Sequence, residues 1–172
     1  VASYTKEPDS IPVRAGATFD RGKHTIDLDG ESYSGTAFIT EVRRRSRTWN
    51  LILDYNQLDP TYRTQTGYDP WNDQRNAFVY TGYTFWRTDG LVESVAPGVF
   101  ADIRWNMDGQ RKWQHLNGQA DVNLRWAQTH ANVSYSVGEE RWGGVGFADL
   151  WTVFVGLDGQ PHDAVAYSVG HQ

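Results

Sequence analysis

The sequence predicts an all-β protein, an antiparallel up-and-down meander of about 8–10 strands, because alternation with a period of two recurs along the chain. Two further observations agree. No window keeps apolar residues at helical spacing for three turns, and Gly, Asn and Asp turn signals separate the alternating runs. Hydrophobic residues make up only 39% of the 172 residues while aromatics reach 14%, which suits strands with one apolar and one polar face better than a conventional core.

Val13, Ala15, Ala17 and Phe19 alternate with Arg14, Gly16, Thr18 and Asp20, and Arg21-Gly22-Lys23 turns the chain. Ile26 and Leu28 alternate with Asp27 and Asp29, and residues 37–42 read as another strand. A basic turn, Arg43-Arg44-Arg45 with Arg47, precedes a strand with Trp49, Leu51, Leu53 and Tyr55 on one face. Residues 57–73 carry two Asp-Pro steps and read as a long loop or bent strand pair. Residues 75–87 form a strand rich in Phe, Tyr, Val and Thr, closed by Thr88-Asp89-Gly90. Residues 92–105 follow, then the turn Asp108-Gly109. The clearest strand spans 112–126, where Leu116, Gly118, Ala120, Val122, Leu124 and Trp126 alternate with Asn117, Gln119, Asp121, Asn123 and Arg125. Ala127-Gln128-Thr129 turns into a strand with Ala131, Val133, Tyr135 and Val137 on one face. A polar loop around Glu139-Glu140-Arg141 comes next, and strands at 147–157 and 164–169 flank a turn at Asp158-Gly159.

Strand length selects an architecture. Strands of soluble sandwiches average about 5–6 residues, whereas a tilted strand needs about 9–11 to cross a bilayer. The runs 75–87, 92–105 and 112–126 meet the longer requirement. Trp105 and Trp126 sit at strand ends, and Trp86 and Trp113 lie near turns, as in interfacial aromatic girdles. The expectation is one domain, residues 1–172, an outer-membrane-type β-barrel or partial barrel, with Asn117, Gln119, Asp121, Asn123 and Arg125 facing its lumen. No apolar run is long enough for a transmembrane helix.

An ordered series of pieces resembles a known family. Residues 49–56 lead into Leu58-Asp59-Pro60-Thr61-Tyr62-Arg63, then Thr66-Gly67-Tyr68 and Asn72-Asp73-Gln74-Arg75. Gly82-Tyr83 and Trp86, then Ala96-Pro97-Gly98, Asn106-Met107-Asp108-Gly109, Tyr135-Ser136 and Gly138-Glu139-Glu140-Arg141 follow. This stretch, about two-thirds of the chain, resembles the C-terminal barrel domain of unknown function that follows family 9 carbohydrate-binding modules in bacterial surface proteins. The resemblance implies an outer-membrane location, a barrel larger than this chain provides, and no established catalytic residues. The family 9 module is absent and the chain ends Gly170-His171-Gln172 without a terminal aromatic, so the expectation is a fragment of a longer barrel.

Few residues point to chemistry. Cysteine is absent, which removes disulfides, thiolate metal sites and cysteine nucleophiles. The net charge of −5 disfavours nucleic acid, and the arginine cluster reads as a solvated turn. The five histidines form no metal-ligating pattern, although His115 and His130 lie on polar faces of neighbouring strands. Asp27, Asp29 and Glu31 would share one strand face and suggest a cation or glycosidase site, with a charged lumen or solvent face the simpler reading. Glu139-Glu140 reads as a solvated loop, and no nucleophile elbow or phosphate loop occurs. Tyr62, Tyr68, Trp71, Asp69 and Asn72 form the best candidate for ligand recognition, because sugars stack on rings and bond to carboxylates and amides.

The expected function is therefore a non-enzymatic outer-membrane barrel segment that anchors a surface or periplasmic module or passes a small solute. Its expected partners are the lipid bilayer of the outer membrane and, secondarily, carbohydrate, with no nucleic acid and no cofactor. The alternatives are a soluble β-sandwich that binds carbohydrate, secreted or periplasmic, and a β-rich glycoside hydrolase using carboxylates such as Asp102 and Asp121.

Overall fold

The computed structural model describes residues 1–7, 17–25, 27, 29–63, 72–142 and 144–172. Among these the chain is all-β, with one 3-10 turn at Trp126–Gln128. The strands are β1 (Ala2–Lys6), β2 (Thr18–Phe19), β3 (His24–Thr25), β4 (Ser32–Arg44), β5 (Trp49–Leu58) and β6 (Gln74–Tyr83). They continue as β7 (Phe85–Trp86), β8 (Val92–Trp105), β9 (Arg111–Leu124), β10 (His130–Trp142), β11 (Val145–His162) and β12 (Val165–His171). The main sheet of ten strands runs β1-β4-β5-β6-β8-β9-β10-β11-β12 with β7 beside β8, while β2 and β3 pair separately. This is the antiparallel meander that the alternation predicted. Its path starts at β1 and ends at β12, with no closing pair among the described residues.

The strands are long because the alternating runs are long. β4 and β10 have 13 residues, β8 and β9 have 14, and β11 has 18. The expected strand at 92–105 matches β8 residue for residue.

Several local expectations need correction. Asp158-Gly159 is not a turn: β11 runs through it to His162, and Asp158 pairs with His130 and Ser168. The segment at Glu139 and Glu140 is not a loop but part of β10, with a register shift between Gly138 and Glu140 where β10 meets β11. A bulge absorbs one residue there, which lets the ladder continue. Asp27, Asp29 and Glu31 do not lie on a strand, because β3 ends at Thr25. Glu31 instead accepts from His24 Nδ1 at 3.0 Å, and Asp29 accepts from Thr25 Oγ1 at 2.9 Å. The expected strand residues Val13, Ala15, Ile26 and Leu28 lie outside the described residues.

The chain divides into two compact units. The first comprises Val1–Thr40, Tyr55–Asn76 and Arg104–Gln110. In it β1 pairs with the first half of β4, from Ala2↔Thr36 to Lys6↔Ser32. Among its described residues Tyr33 and Ala37 are the buried apolar side chains. Phe19 from β2 packs edge-on against Tyr33 at 5.6 Å, and the Arg63 guanidinium covers both rings at 5.0 and 5.4 Å. Tyr33 donates to Glu7 at 2.7 Å. Burial raises the Tyr33 pKa above its ordinary value and the Glu7 bond adds to this, while the positive charge of Arg63 opposes it. Gly35 matters for a steric reason: a Cβ there would lie 2.2 Å from the Tyr62 nitrogen, so only glycine lets residues 61–62 cross β4. Thr61 Oγ1 donates to the Ser34 carbonyl at 2.7 Å and fastens that crossing.

The second unit comprises Glu41–Asp54, Ala77–Ile103 and Arg111–Gln172. It buries no large apolar side chain among its described residues.

Candidate functional site: the polar face of β9, β10 and β11

Registers across β9, β10 and β11 define two faces of the second unit. One carries the rows Leu116–Val137–Trp151, Gly118–Tyr135–Val153, Ala120–Val133–Val155 and Val122–Ala131–Leu157, the last extended by Val169 on β12. This apolar face is open: Leu116 is 50% exposed, Val155 53% and Val169 69%. The other carries Asn117–Ser136–Thr152, Gln119–Ser134–Phe154, Asp121–Asn132–Gly156 and Asn123–His130–Asp158. Here Asn117 is only 7% exposed, and Ser94 of β8, bonded to Asn123, is fully buried. The polar face is the less exposed one: most of its residues are half-buried, and Phe154 and Asp158 are its exposed members.

At one end of the polar face His130 joins three strands. Its Nε2 lies 3.0 Å from Asp121 Oδ1 on β9, and its Nδ1 lies 3.1 Å from Asp158 Oδ1 on β11. Asn132 Nδ2 donates to the same Asp121 oxygen at 2.8 Å. A neutral imidazole has one donor nitrogen and an ionised carboxylate only accepts, so serving both carboxylates calls for a proton on each ring nitrogen. The cluster is a charge-assisted tie between neighbouring strands, and its bonds stay on the polar face.

The expected lumen residues divide into two sets. Asn117, Gln119, Asp121 and Asn123 share the polar face of β9. Gln119 Nε2 reaches Asp121 Oδ2 at 3.5 Å, and Asn123 Nδ2 donates to Ser94 Oγ at 3.0 Å. Arg125 lies beyond β9, and its guanidinium donates to the carbonyls of Arg87, Asp89, Gly90 and Val92, which fixes the turn ahead of β8.

Of the expected recognition loop, Tyr68, Asp69 and Trp71 lie outside the described residues. Tyr62 and Asn72 are brought together in the first unit, where Asn72 Nδ2 donates to the Tyr62 carbonyl at 2.6 Å. For a glycosidase, Asp121 is engaged by His130 and Asn132 rather than held ready beside a second carboxylate. Among the described residues no group of three His, Asp or Glu side chains is placed to hold a metal ion.

The His130 cluster was within reach of the sequence in part. His130 and Asp121 stand on polar faces of strands joined by one turn, so their contact follows from the hairpin register. Asp158 was hidden because Asp-Gly carries a turn signal that the long ladder overrides.

Comparisons with protein-family models, curated proteins and solved structures found no match.

Proposed function

We propose that this chain is a wall segment of an outer-membrane-type β-barrel. Its apolar face meets lipid and its amide-rich face lines a watery interior. The observation that carries the reading is the inversion across β9, β10 and β11, with Leu116, Val133 and Val155 open and Asn117 and Ser94 covered. In water, such an apolar face is a liability. In a bilayer it is the required surface, and interstrand pairing satisfies the backbone groups that hydrocarbon cannot.

The membrane-crossing segments are residues 49–58, 74–83, 92–105, 111–124, 130–142 and 145–158. Aromatic side chains flank them. Trp49, Tyr83, Phe85, Trp86 and Trp126 lie toward one set of strand ends, Trp142 and Phe147 toward the other, and all are exposed. That is the distribution of interfacial girdles. The wall would anchor an attached surface or periplasmic module, or pass small polar solutes along Asn117, Gln119, Asp121 and Asn123.

The test is folding into detergent micelles or lipid vesicles, followed by electrophoresis with and without heating. The expected result is a folded species that requires amphiphile and changes mobility on boiling. A chain that is a fully soluble, folded monomer without detergent overturns the proposal and favours the soluble carbohydrate-binding sandwich. Sugar turnover abolished by Asp121→Asn would favour the hydrolase.

A further inference from the structure

We propose that the hairpin between β4 and β5 docks the phosphate groups of anionic lipid headgroups. This rests on the membrane-wall reading and adds a lipid preference to it. The chain carries a net charge of −5, yet Arg43, Arg44, Arg45 and Arg47 stand within five residues, with Glu41 the one carboxylate in the sequence from residue 40 to residue 53. Arg43 pairs with Glu41. Arg44, Arg45 and Arg47 have no carboxylate partner among the described residues.

Two of these arginines are held against aromatic rings. The Arg44 guanidinium lies 4.8 Å from the Trp49 ring centre, and that of Arg47 lies 4.9 Å from the Trp86 ring centre. Both indoles are fixed in turn: Trp49 Nε1 donates to Thr81 Oγ1 at 3.0 Å, and Trp86 Nε1 donates to the Arg47 carbonyl at 2.8 Å. Exposed Tyr83 and Phe85 extend the same aromatic band, with ring centres 4.7 Å apart.

Exposed Trp and Tyr side chains seat at headgroup level. Guanidiniums stacked on those rings then lie at the depth of the lipid phosphates. Arginine suits that partner because its planar fork donates bidentately to phosphate oxygens and remains charged. A merely solvated turn would have no need to hold two guanidiniums against two exposed, hydrogen-bonded indoles.

The experiment compares the full chain folded into phosphatidylcholine vesicles with the chain in mixed phosphatidylcholine–phosphatidylglycerol vesicles. Either lipid is brominated in turn, and quenching of tryptophan fluorescence gives the relative association of the two. The expected result is stronger quenching by brominated phosphatidylglycerol at equal mole fraction. That preference should fall by up to about five-fold for each of Arg44→Gln, Arg45→Gln and Arg47→Gln, from the strength of a basic residue near an anionic surface. High salt should erase it.

Replacing all three arginines by lysine keeps the charge and guards against misfolding. That variant keeps the charge but not the planar fork, so its preference should lie between those of the parent and the triple glutamine variant, and a preference no greater than the triple glutamine variant's would overturn the proposal. Equal quenching by both lipids at low salt, or an unchanged preference in the triple glutamine variant, would also overturn it. Inorganic phosphate should reduce the preference no more than sodium chloride of matched ionic strength. A larger reduction would show a site for free phosphate and overturn the lipid assignment. A chain that enters neither vesicle sinks the wall reading as well, whereas one that enters both without preference sinks this inference alone.

Discussion

A single charge placed on the apolar face separates lipid from water as its solvent. Val133 lies on β10 between Ala120 of β9 and Val155 of β11, and it is 47% exposed. Its neighbour Ser134 points to the opposite face, between Gln119 and Phe154. If the apolar face were wet, Val133→Arg would put a long polar side chain at an open surface position and change stability by no more than about 0.5 kcal/mol. If it faces hydrocarbon, a guanidinium costs about 2–4 kcal/mol at the bilayer midplane and about 0–1 at the interface, and Val133, near one end of β10, falls between, at about 1–3 kcal/mol. Each 1.4 kcal/mol is about ten-fold in the folding equilibrium, so the loss is about five-fold to a hundred-fold against about two-fold at most for a wet face. The assay is reversible denaturant unfolding in vesicles, followed by tryptophan fluorescence, with the slope held common among variants. Ser134→Arg is the control, because a guanidinium on the polar face meets water and amides and should cost less than Val133→Arg. A Val133→Arg protein as stable as the parent, or a larger loss in Ser134→Arg, would refute the face assignment.

Other perturbations test the ties within each unit. Gly35→Val forces a Cβ into the Tyr62 backbone and should release residues 59–63. Losing two or three hydrogen bonds at about 1 kcal/mol each should speed tryptic cleavage after Arg63 by about ten-fold or more, read by mass spectrometry. His130→Gln leaves one amide donor group for two carboxylates and should cost about 1 kcal/mol, since the cluster is partly solvated. Adding Asp158→Asn should recover most of that loss; no recovery would show that the tie does not depend on charge. For Tyr33 the folded-state pKa is raised, so its contribution is whole below the unfolded value of about 10 and is lost as pH rises through the folded value. Phenolate absorbance should show one late-ionising tyrosine that Tyr33→Phe removes.

Alternation made most of the second unit legible. A period of two states which residues share a face, and the strands β8 and β9 follow from it almost to the residue. It is silent on where a ladder stops. Asp158-Gly159 has turn chemistry, yet pairing with β10 on one side and β12 on the other carries β11 through it. The first unit was less legible because side-chain contacts distant in sequence organise it. Arg63 over Phe19 and Tyr33, and residues 61–62 crossing at Gly35, have no periodic signature. Of the site, the polar row on β9 was visible, whereas the use of Arg125 as a carbonyl clamp was not, since strand parity describes residues only while the strand lasts.

On the membrane-wall proposal, a sheet whose second unit buries no large apolar side chain among its described residues also needs another means of fixing register, because a one-residue slip would exchange its faces. Glycines under aromatic rings supply it. The Tyr167 hydroxyl lies 2.6 Å from where a Gly159 Cβ would stand and meets Thr129 Oγ1 at 2.9 Å, so one ring ties β12 across β11 to the turn before β10. The Phe154 ring similarly covers Gly156 on its own strand and Gly170 on β12, and Tyr80 covers Gly82 and Gly98. Each ring fills a space that a side chain on its neighbour would close, so a shifted register loses the fit and gains a clash. The tie then depends on local shape rather than on a core, and it serves equally well when the apolar face meets lipid.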